Sequence, residues 1–229
     1  MDKVVWLVDG NKGGTGKSVV AKSIVEWLQE QAVPITIVDG DTRTPDVAAV
    51  FNSTLPTMQF DLHEDTGWPK FSDYLCQNSI EGHIVTNLPD GINDRAILFS
   101  ERFSMLVQGY GYQVKVLFVM NTLPDRLHLF AHLAHAFPEV IPVKNLYFGK
   151  PTSFTHFDTA YGLKYGDRSI LFPAMNGRVM HVVRESNLAF SDFIAQRDEA
   201  ESNFTYAKIM VADWRDAMLE AFDDILMDN

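Results

Sequence analysis

The segment Lys12-Gly13-Gly14-Thr15-Gly16-Lys17-Ser18 constrains this chain more than any other. It lies between an apolar run, Val4-Val5-Trp6-Leu7-Val8, and a stretch in which Val20, Ile24, Trp27 and Leu28 recur at helical spacing. Strand, glycine loop and helix in that order are the parts of a phosphate site. Polyphosphate oxygens need several backbone N–H groups converging on them, and a chain without Cβ atoms curls closely enough to supply these. The helix that begins near Lys17 then turns its unpaired N–H groups and the positive end of its dipole toward the anion. In such a loop the Lys17 ammonium meets the β- and γ-phosphates and the Ser18 hydroxyl binds Mg²⁺. The commonest version has glycine five residues before Gly16, where this chain has Asn11.

Further along, strand and helix patterns alternate, which predicts an α/β fold: a doubly wound, mostly parallel sheet with helices on both faces. With 229 residues, 46% of them hydrophobic, and no linker, the expected organisation is a single domain over 1–229 closed by a helix at about 198–229. No apolar run is long enough to span a bilayer, and the chain enters its first strand without a secretory leader. The single cysteine, Cys76, rules out an internal disulfide framework and suits a reducing compartment, so a cytoplasmic location is expected.

Ile35-Thr36-Ile37-Val38 reads as the second strand and runs into Asp39-Gly40-Asp41. Ligands of open α/β sheets sit beyond the carboxyl ends of the strands, so both carboxylates are expected to approach the glycine loop. A plain polar turn is the alternative. Residues 51–77 carry Pro56, Gly67 and Pro69 and read as loops and short helices. Val114–Met120 is a strongly apolar strand, and the following helix carries His128, His132 and His135 on one side. Histidines four apart can share a metal, but a polar helix face explains them as well.

The leading Lys12, taken with Gly13, Gly14, Gly16, Lys17 and Ser18, resembles the deviant Walker A loop of the ParA/MinD family of ATPases. The resemblance implies ATP and Mg²⁺ as cofactors, with Lys12, Gly13, Gly14, Thr15, Gly16, Lys17, Ser18 and Val19 as nucleotide contacts. It also implies a dimer formed on ATP, in which Lys12 reaches the partner's nucleotide and, with Lys17, stabilises the charge of phosphoryl transfer. In the family an Asp-x-Asp follows the second strand, so Asp41 is the implied water-orienting residue and Asp39 lies near the metal. Ile84-Val85-Thr86-Asn87-Leu88-Pro89-Asp90-Gly91 is similar to the family's Walker B segment, an apolar strand ending in Asp-x-Pro-Pro-Gly. Here Asn87 takes the aspartate position and Asp90 that of the second proline. An amide still accepts a bond from a metal-bound water but brings no charge, so either metal affinity and hydrolysis are weakened or Asp39 or Asp90 compensates.

Two later strands resemble those that hold the base. Ile141-Pro142-Val143-Lys144-Asn145 ends in a candidate adenine contact, Asn145, whose amide offers both a donor and an acceptor; it is equally readable as a turn residue. Ser169-Ile170-Leu171-Phe172-Pro173 places Pro173 at the start of the segment that wraps the base, and a helix over 178–193 is expected to follow.

The C-terminal helix sets Val211, Trp214, Met218, Phe222 and Ile225 on one side and Asp213, Asp216, Glu220, Asp223 and Asp224 on the other, with Arg215 as counter-charge. MinD-type members end in a basic helix that lies on anionic membrane; lipid would repel this one. The net charge of −11 likewise opposes nucleic-acid backbones, so weak or no direct DNA binding is expected, with a DNA-bound adaptor protein as the partner. Three functions follow. The first is an ATP-dependent dimerisation switch in plasmid partition or conjugation. The second is a P-loop phosphotransferase or ligase of the dethiobiotin synthetase type, for which no small-substrate motif appears. The third is a nucleotide-gated adaptor with little hydrolysis, motivated by Asn87.

Overall fold

Along the first strand, β1 (Lys3–Gly10), Val4, Trp6 and Val8 face one hydrophobic core and Val5 and Leu7 the other. That period of two, with both sets buried, marks a strand in the middle of a two-faced sheet. The computed structural model describes residues 2–10, 12–78, 80–91, 94–125, 127–196 and 202–227; Asn11 lies outside them. The chain continues through α1 (Lys17–Glu30), β2 (Ile35–Asp39), α2 (Asp46–Phe51), β3 (Thr57–Gln59), α3 (Gly67–Asn78), β4 (His83–Asn87) and α4 (Asp94–Gly109). It then forms β5 (Tyr112–Met120), α5 (Leu127–Ala136), β6 (Glu139–Asn145), α6 (Thr155–Tyr165), β7 (Ile170–Phe172), α7 (Gly177–Ser186), α8 (Phe190–Ala195) and α9 (Ser202–Leu226).

The strands form one sheet in the order β3-β2-β4-β1-β5-β6-β7, and each described pair is parallel. Parallel neighbours require crossovers, and the helices supply them on both faces. One core takes side chains from α1, α2, α7, α8 and α9, the other from α3 to α6. The doubly wound architecture expected from the alternating pattern is therefore observed.

Two details differ from the sequence reading. The region of expected loops and short helices contains β3 and the twelve-residue α3. Pro69 is the third residue of α3, within the first turn where no N–H partner is lost, so it does not break the helix. The helix expected over 178–193 is two helices, because Asn187 adopts a left-handed conformation (φ 53°) and its N–H closes on the Arg184 carbonyl. The described part of the C-terminal helix expected at about 198–229 is α9, and residues 198–201 and 228–229 of that span lie outside the described residues.

α9 packs on the core. Ala207, Val211, Trp214, Met218, Phe222 and Leu226 are buried, while the acidic side faces outward. Arg215 reaches back to α1, with Nε 2.6 Å from Glu26 Oε2 and Nη2 2.5 Å from Glu30 Oε1. Glu26 is fully buried and also accepts a bond from the Ser191 backbone N–H at 3.0 Å. Trp27 Nε1 donates to Asp223 at 2.8 Å. Among the described residues no helix is long and apolar enough to cross a membrane.

At the other end of the sheet from the glycine loop, Trp6 Nε1 donates to His83 Nδ1 at 3.0 Å. Burial, reinforced by the nearby Lys115 ammonium, lowers the His83 pKa from its ordinary 6.5. Folding thus favours neutral His83. As pH falls through 6.5 the unfolded chain takes the proton first, and this contribution to stability shrinks until the folded imidazole also titrates. Melting curves at pH 7.5 and 5.5 are expected to show a smaller acid-induced loss for His83→Asn than for the parent chain.

Candidate phosphate-loop site

The loop joins the carboxyl end of β1 to the amino end of α1. Gly14 and Gly16 have φ of 75° and 99°, a left-handed backbone that side-chain-bearing residues adopt at a cost. A Cβ on Gly16 would also lie 2.6 Å from the Asn145 Nδ2. Two bonds brace the curl: Thr15 Oγ1 donates to the Lys12 carbonyl at 3.0 Å, and Asn145 Nδ2 donates to the Thr15 carbonyl at 2.8 Å. Asn145 Oδ1 accepts from the Tyr147 N–H at 3.1 Å, so both ends of that amide already position backbone.

The two loop lysines differ. Lys17 is 7% exposed and ion-paired with Asp90, in the turn that follows β4. Lys12 is 40% exposed, with its ammonium 3.0 Å from Asp125 Oδ2 beyond β5. The Asp90 partnership follows from the sheet order, which sets β4 beside β1 and its following turn above the loop.

β2 lies next to β4, with Asp39 in register with Asn87. Asp39 is fully buried: Oδ2 accepts from the Val47 and Ala48 N–H groups at 3.1 and 3.0 Å, capping α2, and Oδ1 accepts from Asn87 Nδ2 at 3.1 Å. Burial raises its pKa, and these four-way contacts with Ala48, Asn87, Asp41 and Val47 oppose the rise. Asp39 thereby orients Asn87. Asn87 Oδ1 is left buried without a hydrogen-bond partner among the described residues. An orphaned acceptor of this kind calls for a donor. Asp41 Oδ1 accepts from the Arg43 and Thr44 N–H groups at 3.1 and 3.2 Å, and Oδ2 from Thr44 Oγ1 at 2.8 Å, which holds the turn after β2.

Two cavities meet over the loop. One, of about 230 Å³, is lined by Gly14, Gly16, Lys17, Ser18, Asp41, Asn87 and Asp90, together with Lys22 and Arg184. The other, of about 220 Å³, is lined by Asn145, Tyr147, Phe148, Phe172, Pro173, Met175 and Trp214. Gly14, Gly16, Val19, Met180 and Arg184 border both. Polar and aromatic chambers joined along a glycine loop match the two ends of a nucleotide. Trp214 Nε1 donates to the Pro173 carbonyl at 2.9 Å, so α9 shapes the aromatic chamber.

Lys22 and Arg184 escaped the sequence reading. Lys22 is one turn past Lys17 on α1 and Arg184 is on α7, so only packing brings them together. Burial lowers the Lys22 pKa, with Asp46 opposing and Arg184 reinforcing the shift. Among the described residues there is no group of three or more His, Cys, Asp or Glu that could hold a metal ion, and the His128 and His132 rings of α5 stand 6.3 Å apart and perpendicular.

No family model matches the chain. A structure titled as the septum site-determining protein MinD complexed with Mg-ADP, from Pyrococcus horikoshii OT3, superposes with a TM-score of 0.55 at 18% identity, covering 93% of this chain and 95% of that one. The chain has the fold of that MinD structure. A structure of apo McdA from Cyanthece superposes with a TM-score of 0.50 at 11% identity, over 93% of this chain and 99% of that one. In sequence, the curated protein MobD from Acidithiobacillus ferrooxidans is 28% identical over 198 residues, 83% of this chain and 86% of MobD.

Proposed function

We propose that this chain is a single-domain MinD/ParA-type ATPase that binds ATP with Mg²⁺ in the two joined cavities and dimerises on it. The observation that supports this most directly is the meeting of a braced glycine loop with a polar and an aromatic chamber, which together fall in the range of about 300–1,000 Å³ usual for ligand sites. The MinD superposition agrees with it.

In this reading the N–H groups of residues 13–19 and the Lys17 ammonium take the phosphates, and Arg184 flanks them where the chambers join. Pro173 and the aromatic residues around it take the base, while Asn145 holds the loop in place from beneath. Ser18 and Asn87 are the residues that fit a metal, Ser18 directly and Asn87 through the free acceptor Oδ1, which suits a metal-bound water. Asp39 acts on the metal side through Asn87. Bound Mg²⁺ would neutralise charge on the β- and γ-phosphates. Asp41, which lines the polar cavity, takes the role of orienting water in this reading.

Lys12 serves the dimer. Its exposed pair with Asp125 is worth about 0–1 kcal/mol, little enough to be exchanged for a partner's phosphate. The output is positioning or partition of DNA, of a plasmid or a conjugation apparatus, through a DNA-bound adaptor, since the charge of −11 disfavours direct DNA contact. Light scattering with and without Mg²⁺-ATP tests the switch. A dimer on ATP that Lys12→Ala abolishes is the expected result; a monomer in every nucleotide state refutes it.

A nucleotide-gated adaptor with little hydrolysis is favoured by two observations: neutral Asn87 replaces a carboxylate, and the Asp41 oxygens are engaged by its own turn. Phosphate release measured beside the scattering separates the two readings.

A further inference from the structure

We propose that Asp90 is a built-in phosphate surrogate, whose carboxylate holds Lys17 and lies on the glycine loop until a nucleotide's phosphates displace it. The inference rests on the nucleotide-binding reading above and names a residue that sets affinity at that site.

Three observations carry it. Lys17, nearly buried, has the Asp90 carboxylate as its ion-pair partner. The same carboxylate presses on the loop backbone, because a Cβ on Gly13 would lie 2.5 Å from Asp90 Oδ2. An oxyanion therefore stands against both groups that recognise phosphate, the loop and its lysine. Finally, the Asp90 side chain is 55% exposed and is followed by Gly91 at φ 72°, so it has solvent to swing into. Asn87, three residues earlier, is anchored to Asp39, which confines the movement to the turn beyond β4.

One ammonium cannot serve a carboxylate and a phosphate at the same place without bringing two anions into contact. The phosphates bring more charge and also engage the loop N–H groups and the α1 dipole, so they prevail. Each binding event is then reduced by the fraction of molecules in which Asp90 already holds Lys17. The turn after β4 consequently reports whether phosphate is present.

The test is calorimetric titration of ADP, with EDTA and again with Mg²⁺, into the parent chain, Asp90→Asn, Asp90→Ser and Lys17→Ala. If Asp90 holds Lys17 in about nine molecules of ten, both Asp90 variants bind ADP about tenfold tighter in EDTA. That advantage shrinks at high salt, which a merely structural role for Asp90 would not cause. Equal affinity of parent and Asp90→Asn in EDTA overturns the proposal while leaving nucleotide binding intact. Weaker binding by Asp90→Asn with Mg²⁺ also overturns it and makes Asp90 a metal-side ligand. Absence of binding in the parent and all variants removes the nucleotide reading itself, and this inference with it.

Discussion

Arg215→Ala is expected to cost the folded state about 3–5 kcal/mol, because it strands Glu26 as an unpaired charge in the interior. Glu26 has no exposed surface, and among the described residues the remaining donors to its carboxylate come from Ser191, whose N–H is 3.0 Å and whose hydroxyl is 3.4 Å away. The same guanidinium also ties Glu30, so one substitution loosens α9 from α1 at two points. Urea denaturation measures the loss. Glu26→Leu combined with Arg215→Met is expected to recover most of it, since removing both charges leaves nothing buried and unpaired. If Arg215→Ala melts like the parent, the buried pair contributes no net stability. The consequence for function is local: α9 also carries Trp214, which fixes Pro173 at the aromatic chamber, so Arg215→Ala should weaken nucleotide affinity as it loosens the fold.

Lys17→Ala is expected to weaken ADP binding by about 2–3 kcal/mol, roughly 30- to 150-fold, the value of a charge-assisted bond to phosphate. In the parent the ammonium must first release Asp90, an exchange that Lys17→Ala does not have to make, which draws the effect toward the lower end. Stability should change little, because the lost partner, Asp90, is half exposed. Fluorescence titration with a labelled ADP analogue, beside a melting curve, separates the two effects. Retained affinity in Lys17→Ala would remove Lys17 from the phosphate site.

Much of this site could be read from the chain because its parts are local. The glycine loop is contiguous and lies where a strand turns into a helix. Asp39 and Asp41 were placed correctly at the end of a strand, but their hydrogen bonds were not legible: which acceptors remain free depends on how residues 43–48 fold back over them. The pairing of Lys17 with Asp90 spans 73 positions and depends on β4 lying beside β1, a choice of strand order that periodicity does not encode. Arg184 was hidden for a similar reason. It sits in an ordinary amphipathic helix, and nothing in its neighbours marks it until the fold brings it to the wall of both cavities. Pro69 misled in the opposite direction, since a proline signals a break only if its place in the turn is known.

The amide of Asn145 joins the end of β6 to the glycine loop through one bond to the Thr15 carbonyl, 130 positions away. The cradle is consequently shaped by the protein's own interior rather than by the molecule it receives. A guest that arrives finds its backbone donors already aimed, so little conformational entropy is lost on association. Selectivity then falls to exchange at a single ammonium, where a solute with enough negative charge replaces a carboxylate and a weakly charged one does not. Discrimination at such a site is a contest between anions, with the loop as its fixed ground.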